Sequence, residues 1–199
     1  MRLKPMNTKT PAERVLKDMR REALGMPLYQ LVRRWRRGIP RAHWIPDFDP
    51  LDGGVKAKIL FLMEKPGPGK NKQGVRLVSR DNDDPTAKNI KLLMEKASID
   101  RTETILWNAI AAWNGKIKIS ANEMNQAGPR ITKLLQTLKK LRAIVLVGKK
   151  AQKVFARLQP ELIRKNINVF ISYHPSQQVR NKYPEKWNAI PRQWSKAAK

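Results

Sequence analysis

Four short apolar runs limit what this chain can fold into. They are AKILFLME (57–64), TILWN (104–108), AIVLV (143–147) and NVFIS (168–172). A run that is apolar at consecutive positions is a strand buried on both faces, the habit of a parallel sheet covered by helices. The segments between the runs have helical periodicity. Ile90, Leu93, Met94 and Ala97 share a face in 85–97; Ile131, Leu134, Leu135, Leu138 and Leu141 form a stripe in 129–141. A helix starting at Gly148 carries Ala151, Val154, Phe155 and Leu158, and a short helix over 184–197 turns Trp187, Ile190 and Trp194 inward. Alternation of strand and helix predicts an α/β fold: three α/β/α layers around a central, mostly parallel four-stranded sheet.

The first part of the chain reads differently. Residues 1–10 are polar and expected to be loose. Thr10 and Pro11 form a favourable helix start, and Gly25 ends that helix. A second helix runs from Pro27 to Gly38, with Leu28, Leu31, Val32 and Trp35 on one side and Arg33, Arg34, Arg36 and Arg37 elsewhere. The Pro- and Gly-containing stretch 38–56 is a connector. One domain over 11–199 is expected, with the helices of 11–37 packed on it.

Charge narrows the partner. The chain carries 42 Lys and Arg against 16 Asp and Glu, a net charge of +26 spread along its length. Such an excess points to a polyanion, above all a nucleic acid. Cysteine is absent, which excludes disulfides, thiolate zinc, a cysteine nucleophile and a cysteine-held cluster. With two histidines as well, no metal or cofactor is expected. No apolar run is long enough to span a membrane, and the N-terminus lacks a secretory signal pattern. The expectation is a soluble, cytoplasmic, bacterial nucleoid-associated monomer.

In such a sheet, ligands bind beyond the carboxyl ends of the strands. The first run ends in Met63-Glu64-Lys65-Pro66-Gly67-Pro68-Gly69, the second in Trp107-Asn108, the third in Gly148-Lys149-Lys150 and the fourth in Tyr173-His174-Pro175-Ser176. A carboxylate, an amide, two ammonium groups and an imidazole would share one edge. Taken singly, each has an ordinary structural explanation; their shared placement carries the argument.

These motifs, EKPGPG, SRDNDDPTAKNI, ILWN, VLVGKKAQ and HPSQ in that order, resemble the uracil-DNA glycosylase superfamily over roughly residues 57–180. The resemblance implies an enzyme that flips uracil out of DNA and hydrolyses its N-glycosidic bond without a metal, in base-excision repair. It implies roles. Glu64 would stabilise the cationic sugar and orient water, with Asp81 as a second catalytic carboxylate and Asn82 beside it. Asn108 would read the uracil edge, and His174 would donate to the uracil oxygen. Pro66, Gly67 and Leu77 would line the base pocket, with Leu77 at the position where the family commonly stacks an aromatic ring. Ser176 would hold a phosphate, and Gln177, Gln178, Arg180 and Lys149 would touch DNA.

The chain also departs from the family. The best-known branch has Asp immediately before the first-motif Pro, where this chain has Lys65. Leu77 cannot π-stack, so a ring from Trp107 or Trp113 is an alternative. Several branches carry an iron–sulfur cluster that a cysteine-free chain cannot hold. Two other readings stand beside excision: a catalytically weak or inactive DNA-binding member of the same fold, and a basic RNA-associated α/β protein.

Overall fold

The computed structural model describes residues 27–68 and 76–199. The loose segment 1–10, the helix expected over 11–25 and Gly69 of the first motif lie outside the described residues.

The sheet has the expected form. Strands β2 (Ile59–Met63), β4 (Thr104–Asn108), β5 (Ala143–Val147) and β6 (Asn168–Ser172) lie in the order β4–β2–β5–β6, every neighbour parallel. Every residue of β2, β4 and β5 is buried, which is why those runs show no polar alternation. β6 is an edge strand and only partly covered.

Helices cover both faces. Helices α1 (Pro27–Arg37), α3 (Ala121–Thr137) and α5 (Phe155–Arg164) pack on the face that carries Leu60, Leu62, Ile105, Trp107, Ile144 and Leu146. Helices α2 (Pro85–Lys96) and α7 (Pro184–Ala198) pack on the face that carries Ile59, Phe61, Met63, Leu106, Val145 and Val147. Trp187, Ile190 and Trp194 face inward as expected, and the Trp194 ring meets Phe61 edge-on at 5.0 Å. Between these lie the short helices α4 (Lys149–Gln152) and α6 (Gln177–Lys182). No described helix is long and apolar enough to cross a membrane.

Three local readings are corrected. The helix expected over 129–141 begins at Ala121 and ends at Thr137. Its start is fixed by a capping box in which Ser120 and Glu123 satisfy each other's backbone N–H, and Pro129 lies within the helix instead of opening it. Leu138 and Leu141 remain buried but lie beyond its end. The helix expected from Gly148 breaks at 153–154 into α4 and α5, and Phe155 is exposed. The connector 38–56 contains β1 (Asp47–Phe48), which pairs in parallel with β3 (Leu77–Val78).

Candidate functional site

The strand order decides where a crevice opens. From β2 the chain crosses through α2 to β4 on one side; from β4 it returns through α3, on the other face, to β5. The loops leaving β2 and β5 therefore diverge, and the gap between their carboxyl ends is the natural ligand site. Glu64 follows β2 and Gly148 follows β5.

Gly148 brings two side chains together. Its φ is +88°, a conformation that suits glycine. A Cβ built there would lie 2.6 Å from Glu64 Oε1, 3.1 Å from His174 Cδ2 and 3.2 Å from His174 Cβ. The carboxylate and the imidazole thus flank a backbone that has room for no side chain. The Gly148 N–H donates to the Ser172 carbonyl at 2.9 Å, joining this turn to the end of β6. The Lys150 N–H donates to Glu64 Oε1 at 3.2 Å, and the Lys150 ammonium lies 3.5 Å from Oε2. Burial pushes the His174 imidazole below its ordinary value; the Glu64 charge opposes this and the Lys150 charge adds to it. The shift favours the neutral imidazole.

Asn108 lies on the strand next to β2. It ends β4 in register with Met63, and the next two N–H groups, of Ala109 and Ile110, donate to the carbonyls of Met63 and Glu64 at 2.8 and 2.9 Å. The Asn108 residue is 6% exposed, yet among the described residues its amide has no hydrogen-bond partner.

The last motif is held from behind. Asn89 in α2, itself buried, donates to the Pro175 carbonyl at 3.0 Å and accepts from Arg180 at 3.2 Å. Ser176 caps α6, its hydroxyl oxygen accepting from the Val179 N–H at 3.2 Å. Gln177 and Gln178 are exposed on the first turn of α6, with Gln177 donating to Asn181 at 3.0 Å. Arg180 also lies over the Trp187 ring at 5.4 Å. Lys149 is exposed at the start of α4; Pro66 is buried and Gly67 exposed.

Other expected residues are held elsewhere. Asp81 bonds Arg101 at 2.7 Å and pairs with Lys91 at 3.5 Å. Burial raises this carboxyl, but Arg101 and Lys91 outweigh that and hold it below its ordinary value. Arg101 belongs to the turn entering β4, where it also meets Asp49 and Asp52. Asp81 thus belongs to an ion-pair cluster there, with no bond to Glu64 or His174 among the described residues. Asn82 donates to the Leu77 carbonyl at 2.9 Å, and Leu77 is buried in the short β1–β3 pair. Trp107 cannot serve as a stacking ring in the crevice. It points to the sheet face opposite Asn108, stacked on Phe48 at 3.9 Å. Trp113 is half-buried with the Lys65 ammonium 5.9 Å from its ring centre. Among the described residues no group of three or more His, Asp or Glu could hold a metal ion.

Lys150 and Asn89 were not singled out as site residues by the sequence. The signals were present, Asn89 within PTAKN and Lys150 within GKK, but neither shows from sequence which group it touches.

No match is found among curated proteins. Among solved structures, a point mutant of the UNG from Nitratifractor salsuginis is similar at 14% identity, covering 92% of this chain and 98% of that one with a TM-score of 0.48. The family model described as the uracil DNA glycosylase superfamily matches residues 50–196 and so spans all four long strands and every motif above. The chain belongs to the uracil DNA glycosylase superfamily, a family of DNA glycosylases.

Proposed function

We propose that this protein excises uracil from DNA. The observation that carries the reading is the convergence of Glu64 and His174 over Gly148, one strand from Asn108, whose amide makes no hydrogen bond to another described residue. An amide offers a donor and an acceptor side by side, matching the O4 acceptor and N3–H donor of uracil. Cytosine presents the reverse pattern and is refused.

The reaction needs little beyond these groups. The C1′–N1 bond breaks and its electron pair leaves with the base as a uracil anion. The neutral His174 imidazole donates a hydrogen bond to uracil O2, where that charge gathers. The Glu64 carboxylate stabilises the sugar cation and accepts the proton of the water whose oxygen bonds C1′. The released uracil anion takes a proton from solvent. The excess of positive charge draws the DNA backbone to the protein, and Ser176, Gln177, Gln178 and Lys149 are the groups proposed to meet it.

The second reading is a family member that grips DNA without excising a base. It is favoured by the Lys150 ammonium beside Glu64 and by the lysine at position 65. A single-stranded oligonucleotide containing one uracil, incubated with the full chain and treated with alkali, separates the two. Strand breaks at the uracil support excision. Uracil-dependent retention of an intact strand supports the second reading. Retention indifferent to uracil refutes uracil recognition and returns the chain to general nucleic-acid binding.

A further inference from the structure

Glu64 does not stand alone in the crevice. Lys150, on α4, holds it twice: through its backbone N–H at 3.2 Å and through its ammonium at 3.5 Å. The two contacts differ in kind. The backbone bond is fixed by the turn after Gly148. The ammonium is on a flexible stem, its side chain is 47% exposed, and 3.5 Å is a long contact. Such a half-exposed ion pair is weak and screened by salt.

A site in this state is electrostatically quiet. The carboxylate that should stabilise a cation already faces one. We infer that Lys150 is a phosphate-reading residue: a DNA phosphate seated at the crevice draws its ammonium away from Glu64, and the carboxylate is thereby freed when DNA is present. This rests on the reading above that DNA seats at this crevice. The backbone N–H stays on Oε1, so Glu64 keeps its position while losing the competing charge. A polyanion offers several phosphates to an ammonium that otherwise meets one partly buried carboxylate at a long 3.5 Å, so the transfer favours the phosphate.

The neighbouring imidazole reports the transfer. The charged groups acting on His174 are Glu64, at the end of β2, and Lys150, in α4. The helices on the other side direct their cations elsewhere: Arg180 of α6 to Asn89 and the Trp187 ring, and Lys186 of α7 to the rings of Tyr183 and Tyr173. Withdrawing the Lys150 ammonium therefore removes the charge that works against Glu64 at the imidazole, and His174 titrates at higher pH although burial still lowers it.

The experiment uses the full chain, its Lys150→Ala and Lys150→Arg variants, and a single-stranded oligonucleotide with thymine in place of uracil. His174 is titrated by NMR with and without the oligonucleotide, and binding is measured across a salt series. In the wild type, the oligonucleotide is expected to raise the His174 midpoint by about half a unit or more. In Lys150→Ala the free protein already titrates higher, and the oligonucleotide adds less than half of that shift. The slope of log K against log salt falls by about 0.7 in Lys150→Ala, one phosphate contact on a single strand, and Lys150→Arg restores it. An equal response of His174 in wild type and Lys150→Ala overturns the inference, and so does an unchanged salt slope. None of these readings needs excision. Absence of uracil release from a uracil oligonucleotide would refute the proposed activity alone.

Discussion

The Lys65 ammonium lies 2.6 Å from Glu123 Oε1, so the residue after Glu64 reaches the first turn of α3. It also donates to Asn114 Oδ1 at 2.8 Å, and its side chain is only 5% exposed. Glu123 is the same carboxylate that completes the capping box with Ser120. Lys65 thus ties the turn after β2 to the loop after β4 and to a helix start. Removing it leaves a partly buried carboxylate with one fewer partner. Lys65→Met is expected to lower stability by about 1–3 kcal/mol, read by urea unfolding. Lys65→Asp is expected to be at least as destabilising, because it sets a second carboxylate against Glu123. A Lys65→Asp chain as stable as wild type would show that the pair contributes nothing.

Glu64→Gln keeps the shape and removes the charge. Single-turnover release of uracil is expected to fall by ~10² or more, with the circular dichroism spectrum unchanged. A rate within a few-fold of wild type would refute the assigned role of Glu64.

Gly148→Ala tests the crevice through the backbone. The added Cβ meets Glu64 Oε1 at 2.6 Å and sits at a φ of +88°. Stability is expected to drop by about 1 kcal/mol or more from the backbone conformation alone. Excision should fall further than stability, since Glu64 and His174 must both move. The check is single-turnover kinetics on protein shown to be folded by its unfolding curve.

Asn108→Leu separates folding from function. The Asn108 amide makes no hydrogen bond to another described residue, and an apolar group of similar volume replaces it, so stability should hold. Uracil release should fall by roughly 5- to 160-fold, the ~1–3 kcal/mol carried by a two-point base contact. Loss of stability with retained excision would mean that the amide serves the fold.

The cluster around Asp52 gives the chain a pH-dependent stability. Burial pushes the Asp52 carboxyl up to about 7, against the pull of Arg80 and Arg101 and with the help of Asp49. The folded chain therefore holds a proton that the unfolded chain releases near pH 4. By linkage, the contribution of Asp52 is full below that value and declines as pH rises toward about 7. His174, lowered in the fold, works the other way: stability falls as pH drops below the ordinary histidine range. Comparing wild type with Asp52→Asn isolates the first effect. The melting temperature of wild type should decline more steeply from pH 5 to pH 7.5 than that of the variant. Parallel curves would place the Asp52 carboxyl at an ordinary value.

The layers follow from the pattern of apolar residues alone. Apolar runs in succession call for a sheet covered by helices, and strands 104–108, 143–147 and 168–172 were legible to the residue because each run is apolar between its ends. The sequence also showed Glu64, Asn108 and His174 as residues at strand ends. Local signals failed where two competed: Pro129 suggested a helix start, but Ser120 and Glu123 together satisfy more backbone groups and open α3 at Ala121. Asp81, Trp107, Lys65 and Lys150 were decided only by the tertiary structure. Each partner lies far along the chain: Arg101 for Asp81, Phe48 for Trp107, Glu123 for Lys65 and Glu64 for Lys150. A charged or aromatic side chain is stabilised by whatever the fold brings within a few ångströms, and strand order, not sequence spacing, sets that distance.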